Sequence, residues 1–403
     1  MTTALRDLIK NPTAAELELA VRYGAFDEDA RRERAFTAFA KSGLPHRRME
    51  AFKWTDFKKA LTKLERSSHV AREDPFKELG GSVLVFRNGR IDGIEDLPNG
   101  IRAFVKTEGQ AFAAAEDIPL GAMTAALAAE TVLFEVTEAV AETVRLVYVA
   151  SGEASFARAV FIVRPGASVD ILESHLGGAS LTASLTSFGL LEGASLHRTL
   201  AQPASKGEAA AITAEVHLDA DARYVQTALA FGGDIARIET RVTHQGEGAE
   251  AVLNGAYLAA ADHHIDFTSH VRHGARACIT KQRTKGAVLE GGTGVFQGKF
   301  HVPRNVGQQT DADMQHNALL LEDGAVVNAK PELEIYADDV ACAHGNTCGA
   351  LDGEQLFYLR QRGIPEAMAK ALLTEAFIAD ALESADDAAR DVLLVAAHGW
   401  LNH

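Results

Sequence analysis

The pattern of hydrophobic and polar positions changes texture twice along the chain. Residues 1 to about 65 read as helices. Thr13 followed by Glu16 has the form of a capping box, in which each side chain satisfies the other's orphan N–H. The segment DEDARRERAFTAFAKSG opens with acids and ends at Gly43, which suits the helix dipole and a glycine stop. A polar stretch, LERSSHVAREDP, reads as a linker. From about residue 80 the chain becomes short β-branched runs bounded by Gly, Asp or Pro: SVLVFRNGRI, TVRLVYVAS, AVFIVRPG, AEVHLDA and AVLNGAYLAA. These are strand signals. No helix-length periodic segments alternate with them, which disfavours a doubly wound α/β sheet.

The turns carry more information than the strands. A small turn followed by an extended run recurs as PGASVDI, EGASLHR, DADARYV, EGAEAVL and HGARACI. The turn residues Gly166, Gly193, Asp221, Gly248 and Gly274 follow one another at intervals of 27, 28, 27 and 26 residues. A fixed period of this size marks a solenoid. Each period has room for two strands and two turns, one coil of a flattened β-helix whose coils bury a continuous core against their neighbours. A large antiparallel sandwich is the alternative, and the period favours the solenoid.

After residue 350 helices return. Asp352 followed by Gln355 caps a helix through LFYLRQR that stops at Gly363, and Pro365 suits the first turn of the next. Ala369, Leu372, Leu373, Ala376 and Phe377 form one apolar stripe, suited to docking on the β core or to a partner groove. The expected fold is therefore mainly β. A helical subdomain spans 1–75, a parallel β-helix core 80–337, and a C-terminal helical subdomain 338–403.

Composition narrows the class of function. The chain has 403 residues, 47% hydrophobic and 24% charged, which is ordinary for a soluble globular protein. Its net charge of −15 disfavours nucleic acid or an anionic membrane as the main partner, because phosphates are bound by clustered Lys and Arg. No apolar run approaches the ~20 residues of a spanning helix, and the N-terminal stretch lacks the apolar region of a secretory signal. Three cysteines cannot form a fully paired disulfide framework, so a reducing, cytoplasmic location is expected.

Two of those cysteines lie in DDVACAHGNTCG, residues 338–349. Cys342 and His344 are two apart, and in an extended strand such residues point to one face. A thiolate and an imidazole there suit zinc, copper or an iron–sulfur unit. GNTCG reads as a turn, which leaves the direction of Cys348 open. Three donors fall short of a closed four-ligand site, and a buried cysteine beside a hydrogen-bonded histidine is the plainer reading. A second group, DHHIDFTSHVRH, offers His264, His270 and His273 as ligands or as sheet-face polar residues, and Cys278 beyond it reads as a small buried hydrophobe. GGTGVFQGKF fails the P-loop template, and no G-x-S-x-G elbow or H-E-x-x-H helix is present.

The run NALLLEDGAVVNAKPELEIYADDVACAHGNTCGALDGEQLFYLRQRGI, residues 317–364, resembles the SufB/SufD family of iron–sulfur cluster assembly proteins. KPELEIYADDV, C-x-HG and EQLFYLRQRGI in this order carry the resemblance, and VFQGKFHVPRNVGQQTDADMQHNALLL and GLPHRRMEAFKWTDF extend it. ADDVACAHG, and the lack of any cysteine before Cys278, are similar to the SufD branch. The resemblance implies a right-handed parallel β-helix with helical ends. It implies a scaffold subunit without catalysis of its own, paired with SufB and bound to the ABC-type ATPase SufC through C-terminal helices at about 353–384, so that ATP enters only through that partner. It implies a transient cluster or iron at the interface, with Cys342 and His344 as this chain's ligands, and it assigns nothing to Cys348. His270 is the nearest match to the family's histidine-rich stretch. A homodimer in isolation is a further expectation, because an exposed β edge invites pairing. Two other readings remain open: a metal-dependent enzyme complete in one chain, and a purely structural β-helix.

Overall fold

The structure is a computed structural model describing residues 9–68, 70–92, 94, 97–106 and 118–402. Its regularity begins in the turns. Gly166, Gly193, Asp221 and Gly248 all take positive φ, between 54° and 72°. Each left-handed residue turns its N–H toward the next coil: Gly166 donates to the Glu192 carbonyl, Gly193 to Ala220, Asp221 to Glu247 and Gly248 to Arg276, at 2.8–3.1 Å. Glycine and aspartate recur there because the left-handed region costs them least. The next corner departs from the expectation. Ala277, not Gly274, holds the left-handed position (φ 53°) and donates to Gln308, and Gln309 (φ 60°) follows, donating to Asp339. Extra residues loop out at these last corners, so the stack continues while the glycine rhythm stops.

Between turns the chain alternates between two parallel sheets. One contains Ser82–Arg87, Val144–Val149, Ser168–His175, Ser195–Gln202, Arg223–Ala230, Glu250–Ala259, Ile279–Val288, Thr310–Leu320 and Val340–Gly349. The other contains Thr131–Val136, Gly152–Val163, Ala179–Leu190, Ala209–Leu218, Ile235–His244, His264–His273, Thr293–Val302 and Val326–Ile335. Arg90–Asp92 and Ile101–Lys106 add one antiparallel strand to each sheet at the N-terminal end. This is the expected β-solenoid. In-register pairing stacks like residues: Phe134, Phe161 and Phe188 form an aromatic ladder with centroids 4.6 and 5.5 Å apart.

The solenoid core also holds charge. Arg198 is 1% exposed, makes two hydrogen bonds to the Glu173 carboxylate at 2.6 and 2.7 Å, and donates to Gln226 Oε1 at 2.8 Å. Despite burial, the guanidinium holds Glu173 down to about 2.

Helices cover the two outer faces. Ala14–Tyr23 begins with the expected capping box, Thr13 N–H to Glu16 Oε2 at 2.7 Å and Glu16 N–H to Thr13 Oγ1 at 3.2 Å. With Ala30–Ser42 and Pro119–Leu127 it packs on the second sheet around Leu181, Leu185 and Ala211. The stretch read as a linker is a strap: Ser67 N–H bonds to Gly152 and Arg72 N–H to Leu176, and Asp74 pairs with Arg145. Gly353–Gln361 starts at the Asp352 cap and Gly363 (φ 85°) follows it. The expected stripe on the next helix, Glu366–Ala379, holds in part: Ala369 is buried and Leu373 and Phe377 are half-buried, but Leu372 and Ala376 are exposed, and Ala371, Thr374 and Ile378 are buried instead. Thr374 tolerates burial because its hydroxyl donates to the Lys370 carbonyl at 2.9 Å. Ile378, with Leu393 and Ala397 of Asp387–Leu401, packs on Leu229, Leu258 and Ala287 of the first sheet. No helix among the described residues is long and apolar enough to cross a membrane.

Candidate functional site

The solenoid ends on Val340–Gly349. Ten residues, through GNTCG, run extended in parallel register with Thr310–Leu320, so the expected turn at 345–349 is a strand. Asn317 Nδ2 donating to Thr347 Oγ1 at 2.6 Å helps hold it there. The register places Cys342 beside Ala312, His344 beside Met314, Asn346 beside His316 and Cys348 beside Ala318. Ala312, Met314, His316 and Ala318 are the inward row of their strand, all 3% exposed or less. Cys342, His344, Asn346 and Cys348 therefore continue the inward row one coil further, where no coil follows. Cys342 is half-buried against the core, and the other three are exposed.

Cys342 and His344 thus lie on one face, about 7 Å apart along the strand. Cys348 shares that face but stands about 13 Å beyond His344, too far to share one ion with it. All three cysteines are free, with Cys278 buried as expected. Burial pushes the thiol of Cys342 up, as it does Cys348, and pushes Cys278 up to about 11. Among the described residues no three of His, Cys, Asp and Glu come close enough to hold a metal ion. The row offers a thiol and an imidazole at an open edge, with no group of three such donors around them among the described residues.

The second histidine group is divided by the pleat. His264 and His270 point outward and His273 inward. His264 Nε2 lies 3.0 Å from Thr55 Oγ1, under the N-terminal segment. His270 lines an outer cleft with Glu50, Arg237, Lys299 and Lys330. His273 stacks on His244, and both Nε2 atoms lie 2.9–3.0 Å from Thr280 Oγ1. The three do not converge.

The structure adds a buried group that the spacing did not reveal. His316 stacks on Phe296 at 4.6 Å, with Nε2 2.9 Å from Tyr257 Oη and Nδ1 2.7 Å from Asn346 Oδ1. Burial pushes His316 down to about 4, which keeps it neutral. Tyr257 reaches His316 across a whole coil because two glycines make room. A Cβ on Gly286 or Gly294 would lie 2.1 or 2.3 Å from Tyr257 ring atoms. The legible signal was Met314, His316 and Ala318 alternating inward next to the C-x-H strand.

The family described as "SUF system FeS cluster assembly, SufBD core domain" matches residues 146–377, more than half of the chain and most of the solenoid. The chain belongs to the SufBD family. It is similar to the iron–sulfur cluster assembly protein SufD of Escherichia coli, 35% identical over 167 residues, 41% of this chain and 39% of that one. It is similar to a SufBD family iron–sulfur cluster assembly protein of Synechocystis, 34% identical over 165 residues, 40% and 35% of the two chains. It is also similar to the chloroplastic protein ABCI7 of Arabidopsis thaliana, 29% identical over 231 residues, 56% and 48%. The matched regions thus span between about a third and a half of these relatives' lengths. The SufBD match covers the solenoid through His344 and continues into the helix Glu366–Ala379.

Proposed function

We propose that this chain is a SufD-type scaffold subunit in iron–sulfur cluster assembly, without catalysis of its own. It offers Cys342 and His344 as half of a ligand set whose other half belongs to a SufB subunit seated on the open end. The observation that carries the proposal is the exposed inward row: a thiol and an imidazole on one strand face, at a free edge, with no third donor close by among the described residues. Iron, or the nascent cluster, is cargo, and a two-ligand half-site suits a group that has to be released, since closed four-ligand sites are structural. Apolar side chains around the end support the pairing. Val326, Ile335 and Tyr336 are 45%, 38% and 54% exposed on the last coil. A free sheet edge of this kind would also let two copies of the chain pair when the partner is missing.

The ATPase SufC would dock on the C-terminal helices. Phe357, Tyr358, Met368 and Leu372 are exposed there, between 39% and 61%. ATP would act only through that partner, by moving the helices and so changing access to the interface. Replacing Met368 and Leu372 together with aspartate should abolish ATPase capture while leaving the thermal transition of the isolated chain in place.

Co-expression with SufB and SufC partners tests the whole reading. With His344 intact, the anaerobically purified complex should carry an iron–sulfur chromophore. The His344→Ala variant should assemble the same complex and lose it. An unchanged chromophore would leave His344 a surface residue, and failure of the intact chain to form any complex would remove the scaffold reading.

A further inference from the structure

Asn346 lies between His344 and Cys348 on the open row, and its side chain has one defined orientation. Oδ1 faces His316 Nδ1 at 2.7 Å, and His316 Nε2 faces Tyr257 Oη at 2.9 Å. A neutral imidazole has one donor and one acceptor nitrogen. If Nδ1–H donates to Asn346 Oδ1, Nε2 accepts the phenolic hydrogen of Tyr257, and all three groups are satisfied. The opposite amide orientation would need Nε2–H to donate to the phenol. The phenolic hydrogen would then have no acceptor, because His316 is the only hydrogen-bond partner of Tyr257 among the described residues. Tyr257 is fully buried, so an orphaned hydroxyl costs about 1–3 kcal/mol. The phenol therefore selects the imidazole tautomer, and the tautomer selects the amide orientation.

The consequence lies at the surface. With its oxygen taken by the core, Asn346 presents its NH2 group at the open end, about 7 Å along the strand from His344. An amide there whose hydrogens meet no acceptor among the described residues is a donor awaiting one. Beside a thiolate and an imidazole that hold iron, the acceptor of matching chemistry is anionic sulfur, whose hydrogen bonds tune cluster stability and potential. We propose that Asn346, aimed by His316 and Tyr257, donates hydrogen bonds to the sulfide or persulfide sulfur of the cargo held at His344. His316 and Tyr257 are positioning residues in this arrangement, since neither reaches the cargo. The proposal rests on the ligand reading above.

The experiment uses the anaerobic complex with its partners and compares the intact chain with Asn346→Ala, Asn346→Asp, Tyr257→Phe and His344→Ala. The readouts are iron and acid-labile sulfide per complex, the rate of chromophore bleaching by a chelator, and the reduction potential. Asn346 is exposed, so its variants should keep the parent thermal transition. They should assemble and take up iron, yet bleach several-fold faster and show a lower potential, with Asp worse than Ala because a carboxylate repels anionic sulfur. Tyr257→Phe should fall between the parent and Asn346→Ala, since it removes only the constraint on orientation. Parent-like bleaching and potential in both Asn346 variants, with the chromophore lost in His344→Ala, would overturn this inference and leave the ligand reading intact. A full chromophore in His344→Ala would overturn both.

Discussion

At the scale of single residues, the solenoid interior is decided by whether each buried polar atom finds a partner. Arg198 and Glu173 are fully buried and joined by two hydrogen bonds. Removing one member strands the other's charge, so Glu173→Ala should destabilise the fold by about 3–5 kcal/mol in denaturant titration. Replacing both with apolar residues of similar volume should cost far less. The glycines beside Tyr257 make a second prediction. Gly286→Ala should cost about 1–3 kcal/mol through overpacking, and much of that should return in a Tyr257→Leu background, where the ring that meets the new Cβ is gone. A Gly286→Ala cost that persists with Tyr257→Leu would show that the glycine serves the backbone instead.

At the scale of elements, legibility followed local chemistry. The capping box at Thr13, the stop at Gly43 and the Asp352 cap were readable because each depends on residues within one helical turn. The solenoid was readable because every coil repeats the same left-handed corner, and the reading slipped at Gly274, where longer corners put Ala277 in that role. Strand pairing overrode turn propensity at Gly345–Gly349. Glycine and asparagine favour turns, but ten in-register neighbours kept the segment extended. The stripe on Glu366–Ala379 was misplaced in part because a threonine that bonds its own helix can be buried like an alanine. At the site, the shared face of Cys342 and His344 follows from strand period alone. The Tyr257–His316–Asn346 chain joins strands about 30 and 60 residues apart, so only the register brings it together.

At the scale of the whole molecule, buried histidines set the acid limit. His244, His273 and His316 are pushed down to about 3, 4 and 4, chiefly by burial. An unfolded histidine titrates near 6.5, so below that pH the unfolded chain binds protons that the folded chain does not. Their contribution is full above about pH 6.5 and is lost as pH falls toward 4 and 3. Each adds a slope of up to about 1.4 kcal/mol per pH unit in that window. Urea midpoints measured between pH 7.5 and 4.5 should therefore fall steadily, with a shallower fall in His316→Gln; a flat profile would mean that these histidines are charged in the fold. The same end-to-end stacking leaves one coil without a successor, and that is where the thiol and imidazole sit.

The central claim is that His344 contacts the cargo directly. The most direct measurement is pulsed electron paramagnetic resonance of the reduced, cluster-loaded complex, with 15N-histidine incorporated in this chain alone. A strongly coupled 15N nucleus that vanishes in His344→Ala is the predicted result. A loaded cluster with no 15N coupling from this chain would contradict the account, leaving His344 off the cargo.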